Sequence, residues 1–219
     1  SNYSNKPKEI PAQPANGVLQ CVAAESLTTE RLVGRQDVAG ALRRSSFPDA
    51  RVSVVELRPQ AGRRTVVALS WQGPDAGALL LLSCDARVLH VEPGGYVDSL
   101  AVVRLPGGLQ AVRVREHAGG GTSFAREQLT YYLADADSMR IAWTGTVLDA
   151  SYADPQRGFE ERATVALGRG GVLTRRGVRH EVTWDSLTNS WKRSNARATV
   201  RREVYRWDPA WLSYRAGTN

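Results

Sequence analysis

From Arg51 to the C-terminus, apolar residues recur at every second position in short runs, and Pro, Gly, Asp and Ser punctuate the runs. A period of two sends successive side chains to opposite faces, which is the pattern of a half-buried β-strand and of little else. In the run that ends at Leu148, Ile141, Trp143, Gly145 and Val147 alternate with Arg140, Ala142, Thr144 and Thr146. Phe159 to Leu167 alternates in the same way. Val172 to Trp184 does too, with Val178, Val182 and Trp184 on one face and Arg175, Arg179 and Glu181 on the other. The strand from Ala196 to Trp207 starts with Ala196, Ala198 and Val200 inward. Arg202 then breaks the alternation, which predicts a bulge or a paired arginine there.

The punctuation predicts hairpins. Pro59-Gln60-Ala61-Gly62 joins Arg51–Leu57 to Arg64–Trp71, and Asp85 joins Ala78–Leu82 to Arg87–Val91. Pro106-Gly107-Gly108 joins Leu100–Leu105 to Leu109–Arg115, and Asp135-Ala136-Asp137-Ser138 joins Gln128–Leu133 to Met139–Leu148. Ala78 to Leu82, the longest apolar run, has the length of a buried strand and falls far short of the ~20 residues that span a bilayer. Upstream, Leu19 to Ala23 reads as a short strand. Asp37 to Arg44 reads as a short helix, capped by Asp37, with Val38, Ala41 and Leu42 on one face and Arg43 and Arg44 against its C-terminal dipole. Ser1 to Asn16 is polar and aperiodic and reads as a flexible leader.

The expected architecture is therefore one all-β domain over residues 17–219, behind a leader over residues 1–16. It is an antiparallel meander of about ten to twelve strands with one short N-terminal helix. The strands group in fours, near 51–93, 99–148 and 159–215, a spacing of roughly 50 residues that falls within the range of propeller blades. Such blade-like units can build a partial propeller completed by a homo-oligomer, a sandwich, or a curved open barrel.

Trp-Asp is written twice near the C-terminus. Trp184-Asp185 is followed by Trp191, and Trp207-Asp208 by Trp211. Asp can bond the backbone of a turn while Trp packs across the paired strand. The segment Val204-Tyr205-Arg206-Trp207-Asp208 with Trp211 resembles the blade-closing strands of secreted bacterial β-propeller repeat proteins. Thr183-Trp184-Asp185 to Trp191 is similar to the Asp-box turns of sialidase-type propellers, although Leu187 stands where that turn has glycine. The Gly-His dipeptide of the best-known Trp-Asp repeats is absent. The resemblance implies a secreted, repeat-built β protein and carries no activity of its own.

The net charge of +7 is carried by the last 63 residues, which hold 13 basic and 6 acidic side chains. This basic, tryptophan-rich stretch is the candidate ligand-binding region, with Arg179, Trp184, Trp191, Arg193, Arg201, Arg206 and Trp211 as its members. Arg outnumbers Lys 26 to 3, so codon bias is a competing account of the excess.

Signatures of catalysis are lacking. His90, His117 and His180 have no metal-ligand spacing, and His180 and His90 read as hydrogen-bonded core residues. Ala118-Gly119-Gly120-Gly121-Thr122-Ser123 lacks the lysine and following helix of a phosphate cradle and reads as a hairpin loop. Asp135/Asp137 sit in a turn, and Glu160/Glu161 point to opposite faces of one strand, so neither pair brackets a substrate. No cofactor and no metal is expected. Cys21 and Cys84 are compatible with one disulfide or two buried thiols.

These features point to a non-catalytic module with a protein or glycan partner in the bacterial cell envelope. Its location is periplasmic, secreted or lipid-anchored, with a cytoplasmic protein carrying a disordered arm as the alternative. A glycan-acting hydrolase with carboxylates assembled by the fold is a second reading. Polyanion or nucleic-acid binding through the arginines is a third, with nucleic acid the less favoured ligand.

Overall fold

The computed structural model describes residues 21–58, 62–72, 76–121, 123–152, 156–194 and 197–217. The chain is mostly β, in two antiparallel sheets. The first sheet has the order β1 (Arg51–Leu57), β2 (Arg64–Ser70), β3 (Gly77–Leu82) and β4 (Val88–Gly94). It is the first of the three four-stranded units expected. The other two units run together as one nine-stranded sheet. Its strands are β5 (Tyr96–Arg104), β6 (Gln110–Gly120), β7 (Phe124–Ala134), β8 (Met139–Ser151), β9 (Arg157–Leu167), β10 (Val172–Asp185), β11 (Ser190–Arg193), β12 (Thr199–Asp208) and β13 (Ser213–Ala216). β12 and β13 continue the sheet from β10, and β11 pairs with the far end of β10. Among the described residues, no helix is long and apolar enough to cross a membrane.

The apolar run of β3 is buried at every position because both of its faces are covered. Leu80 and Leu82 pack with Leu32, Val38 and Trp71 beneath two short helices, α1 (Thr29–Val33) and α2 (Gln36–Leu42). Leu79 and Leu81 pack with Val97, Val112, Val114 and Tyr132 of the large sheet. Each such leucine contributes about 1.5–3 kcal/mol of transfer free energy. Gly95, the single residue that joins β4 to β5, passes so close to β6 that it could not carry a Cβ without overlapping the His117 carbonyl.

The N-terminal segment departs from expectation. Cys21 to Ala23 are not in a strand; the Val22 N–H donates to the Cys84 carbonyl at 2.8 Å, and Cys21 and Cys84 form a disulfide across 63 residues. Closing a loop of that length stabilises the fold by about 4 kcal/mol in the chain-entropy account. Leu19, Gln20 and the leader lie outside the described residues. In α2, Arg35 occupies the cap position, and Asp37 lies in the first turn, bonded to the Arg35 guanidinium. That contact holds the Asp37 carboxyl below its ordinary range.

Only four residues of β8, Leu148 to Ser151, pair with β9. A bulge lies just before them, and beyond it β9, β10, β12 and β13 curl away from β8. The curl closes a third core, in which Trp143, Tyr131 and Ala111 meet Leu173, Tyr205, Trp207 and Tyr214. The turn at Gly171 consequently lies close to both Pro106, in the turn between β5 and β6, and Trp207 of β12, although those strands are far apart in sheet order.

Candidate functional site

In β10 and β12 the odd-numbered residues face the third core and its polar rim. Leu173, Arg175 and Gly177 are buried, and Tyr205 and Trp207 pack inward. The even-numbered residues form the opposite face, which is exposed at Arg176, Val200, Arg202 and Arg206 and buried at Val182. The register from Val172↔Arg206 to Arg179↔Thr199 has no shift, so the bulge expected at Arg202 is absent. Arg202 is an outward residue of a regular strand. Val200, expected inward, is outward too, at 54% exposure. Ala196 lies outside the described residues.

This register sets Arg202 directly opposite Arg176, and Arg206 directly opposite Arg215 of β13. Directly opposed residues have Cβ atoms about 4.5–5.5 Å apart, and like charges there repel. Arg176, Arg202 and Arg206 have no ion-pair partner among the described residues. Arg215 lies 3.3 Å from Asp208, with its guanidinium 4.8 Å from the Trp211 ring centre. Arg162 of β9 is on the same face, bonded to Glu160 at 2.6 Å. Thr164, Val178 and Val204 lie between the cations.

A Trp-Asp hairpin lies at each end of these strands, and the two turns are built alike, although the Trp184–Trp191 pair is on the even face and the Trp207–Tyr214 pair is on the core side. Trp184 meets Trp191 edge-on at 5.4 Å, and Trp207 meets Tyr214 edge-on at 5.2 Å. Asp185 accepts the Leu187 N–H at 2.9 Å, and Asp208 accepts the Ala210 N–H at 3.0 Å. Each carboxylate also pairs with a cation of the returning strand, Lys192 or Arg215. Asn189 and Leu212, four residues after each Asp, both take left-handed φ. The counterpart of Trp191 is thus Tyr214, while Trp211 sits on the turn, 63% exposed. Lys192, the Leu187 N–H and Thr188 hold the Asp185 carboxyl down at about 2. Tyr152 lies tilted against Trp191 with ring centres 5.0 Å apart, and Val182 on the same face is buried.

Five of the seven residues named from the sequence share this face: Trp184, Trp191, Arg193, Arg206 and Trp211. They lie toward opposite ends of β10, on the order of 40 Å apart at ~3.3 Å per residue. Arg179 and Arg201 are on the other face. Arg179 stacks on Phe159 at 3.7 Å in a cleft of about 560 Å3, and Arg201 borders a cleft with Arg175, Glu161 and Glu203. Sequence reading missed Arg176, Arg202 and Arg215. The signal for Arg176 and Arg202 was their shared even phase along β10 and β12, hidden by the inward reading of Val200; Arg215 follows only from the pairing of β12 with β13.

The carboxylates assembled by the fold are already engaged. Arg175, 7% exposed, donates to Glu161 at 2.7 Å, to Glu203 at 3.4 Å and to the Thr146 carbonyl at 2.8 Å. Tyr205 adds a bond to Glu203 at 3.0 Å. Asp135 accepts the Ala136 N–H within its turn. His180 is half-buried opposite Glu160, and His90 lies 3.4 Å from Glu92. Comparison with protein-family models, curated proteins and solved structures returns no match.

Proposed function

We propose that the protein is a non-catalytic binding module of the bacterial cell envelope. It holds an extended anionic glycan along the exposed face of β9, β10, β12 and β13. The observation that carries this reading is the pair of directly opposed arginine couples, Arg176/Arg202 and Arg206/Arg215, on a face with the exposed rings of Trp184 and Trp211 toward its ends. Opposed cations cost stability in the free protein, and an anion laid between them removes that cost. Trp211 and Trp184 supply ring faces for sugar stacking at either end.

Two further observations support the reading. Glu161 and Glu203 share one buried guanidinium, so both carboxylates are engaged within the fold rather than facing one another across an open cleft. The Cys21–Cys84 disulfide favours an oxidising compartment, in keeping with an extracytoplasmic location.

The test is titration with an oligogalacturonate as the anionic glycan and its neutral methyl ester as the control. The reading expects binding of the acid alone, weakened by Arg176→Ser with Arg202→Ser and unaffected by Arg179→Ser. Equal binding of the ester, or loss of binding only in Arg179→Ser, would overturn it.

A further inference from the structure

Asp98, His117 and Glu127 lie on three adjacent strands, β5, β6 and β7, and their ligand atoms all fall within 4.8 Å of one another. We propose that these three side chains bind a divalent first-row cation, with zinc the best match to one imidazole and two carboxylates. The three side chains belong to other strands than the arginine couples, although Glu127 lies near enough to Arg162 to feel its charge, and the proposal does not depend on the ligand of that face.

Sheet pairing explains why no local spacing announces the cluster. His117 is directly opposite Glu127 across β6 and β7. Asp98 is the extra residue of a bulge in β5, between Val97↔Glu116 and Ser99↔Arg115. A second bulge follows His117, between it and Gly119. Bulges re-aim side chains, and two of them bracket this cluster.

The distances suit a small ion. His117 Nε2 lies 3.2 Å from Asp98 Oδ2. Ligands about 2.0–2.2 Å from a tetrahedral ion are separated by roughly 3.3–3.6 Å, so this edge needs little adjustment. Glu127 is held for the task from behind. Arg115 bonds its Oε2 through both Nε and Nη2, so that arginine leaves Oε1 unengaged. A partner of this kind fixes a ligand's orientation. Two carboxylates against one arginine leave the cluster with a single negative charge, which favours a dication. His117 also lines a cleft of about 740 Å3 with Tyr96 and Phe124. The remaining coordination position is therefore open to water or to a ligand's anionic group.

Metal-stripped protein titrated with zinc chloride by calorimetry tests the site. One equivalent is expected, with affinity in the micromolar range or tighter. His117→Ala and Asp98→Asn should each weaken it by more than ~100-fold, and Arg115→Ala by about tenfold. His180→Ala should leave it unchanged. Circular dichroism checks that each variant is folded. If His117→Ala fails to fold, the Co2+ absorption spectrum of the native protein decides: tetrahedral bands support the site, and an octahedral aquo spectrum overturns it. Zinc uptake that survives His117→Ala, that is lost in His180→Ala, or that is absent altogether also overturns it, leaving His117 and Asp98 as an ion pair only.

Discussion

Arg175 donates to Glu161 at 2.7 Å from a side chain that is only 8% exposed, while Glu161 itself is 15% exposed. Breaking a buried pair by removing one member leaves the other charge in a poorly solvated site. Arg175→Ala should therefore destabilise the protein by about 3–5 kcal/mol. Urea denaturation at neutral pH measures it. Arg175→Lys should recover only part of the loss, because one ammonium cannot reach Glu161, Glu203 and the Thr146 carbonyl as the guanidinium fork does. A loss below about 1 kcal/mol in Arg175→Ala would show that the triad is not the polar centre of this fold.

The opposed arginines lead to a prediction of the reverse sign. Arg176→Glu turns a repelling cross-strand couple with Arg202 into an attracting one. Stability should rise by roughly 0.5 kcal/mol, while anionic-glycan binding falls. Thermal unfolding and titration of the same variant check the two together. A rise in stability with binding intact would separate the repulsion from function.

Asp185 sets a pH window. Its folded value of about 2 lies below the ordinary value of 3.8, so its contribution is present above about pH 4 and is lost as pH falls toward 2. The hairpin of β10 and β11 should loosen over that interval. Asp185→Asn should be less stable than the native protein at neutral pH and should show a flatter profile between about pH 4 and 2. Melting temperature against pH reads the difference. Parallel profiles for the two proteins would contradict it.

Glu116 works in the opposite direction. Burial, with Glu92 nearby, raises its carboxyl above the ordinary 4.5, and the Gly95 N–H bond at 2.8 Å only partly offsets this. A raised folded value means that stability is full below about pH 4.5 and declines as pH rises through the folded value. Glu116→Gln keeps an acceptor for the Gly95 N–H and removes the charge. It should be more stable than the native protein at pH 7 and no more stable at pH 4, as judged by urea midpoints. A variant less stable at pH 7 would mean that the ionised form is the one the fold prefers.

What could be read from the sequence follows a physical division. The strands of Met139–Ser151 and Val172–Asp185 were legible because a half-buried strand must alternate, but the phase at the start of the first was not: a bulge at Ala142 leaves Ile141 exposed and buries Ala142. The two Trp-Asp hairpins were legible because Asp and a cross-strand aromatic act within a few residues. Their true symmetry was not, since the equivalence of Trp191 and Tyr214 depends on turn length and register. The joining of the second and third units was also hidden, because four residue pairs between β8 and β9 decide it. The phase of β12 was misread because Val200 is apolar yet exposed. Single exposed apolar residues are common, and only the neighbouring strand tells them from core. Arg175 illustrates the same limit: an arginine in strand phase reads as a solvated face, and its burial depends on Glu161 and Glu203 from other strands.

The central claim is that the arginine couples bind a polyanion through charge. Its most direct test is the affinity of an oligogalacturonate for the native protein measured across ionic strength. The account predicts a fall of at least about tenfold between 50 and 200 mM salt, and a distinctly shallower dependence in Arg176→Ser with Arg202→Ser, because fewer counterions are released. Affinity that is independent of salt, or a dependence that the double variant shares in full, would contradict it.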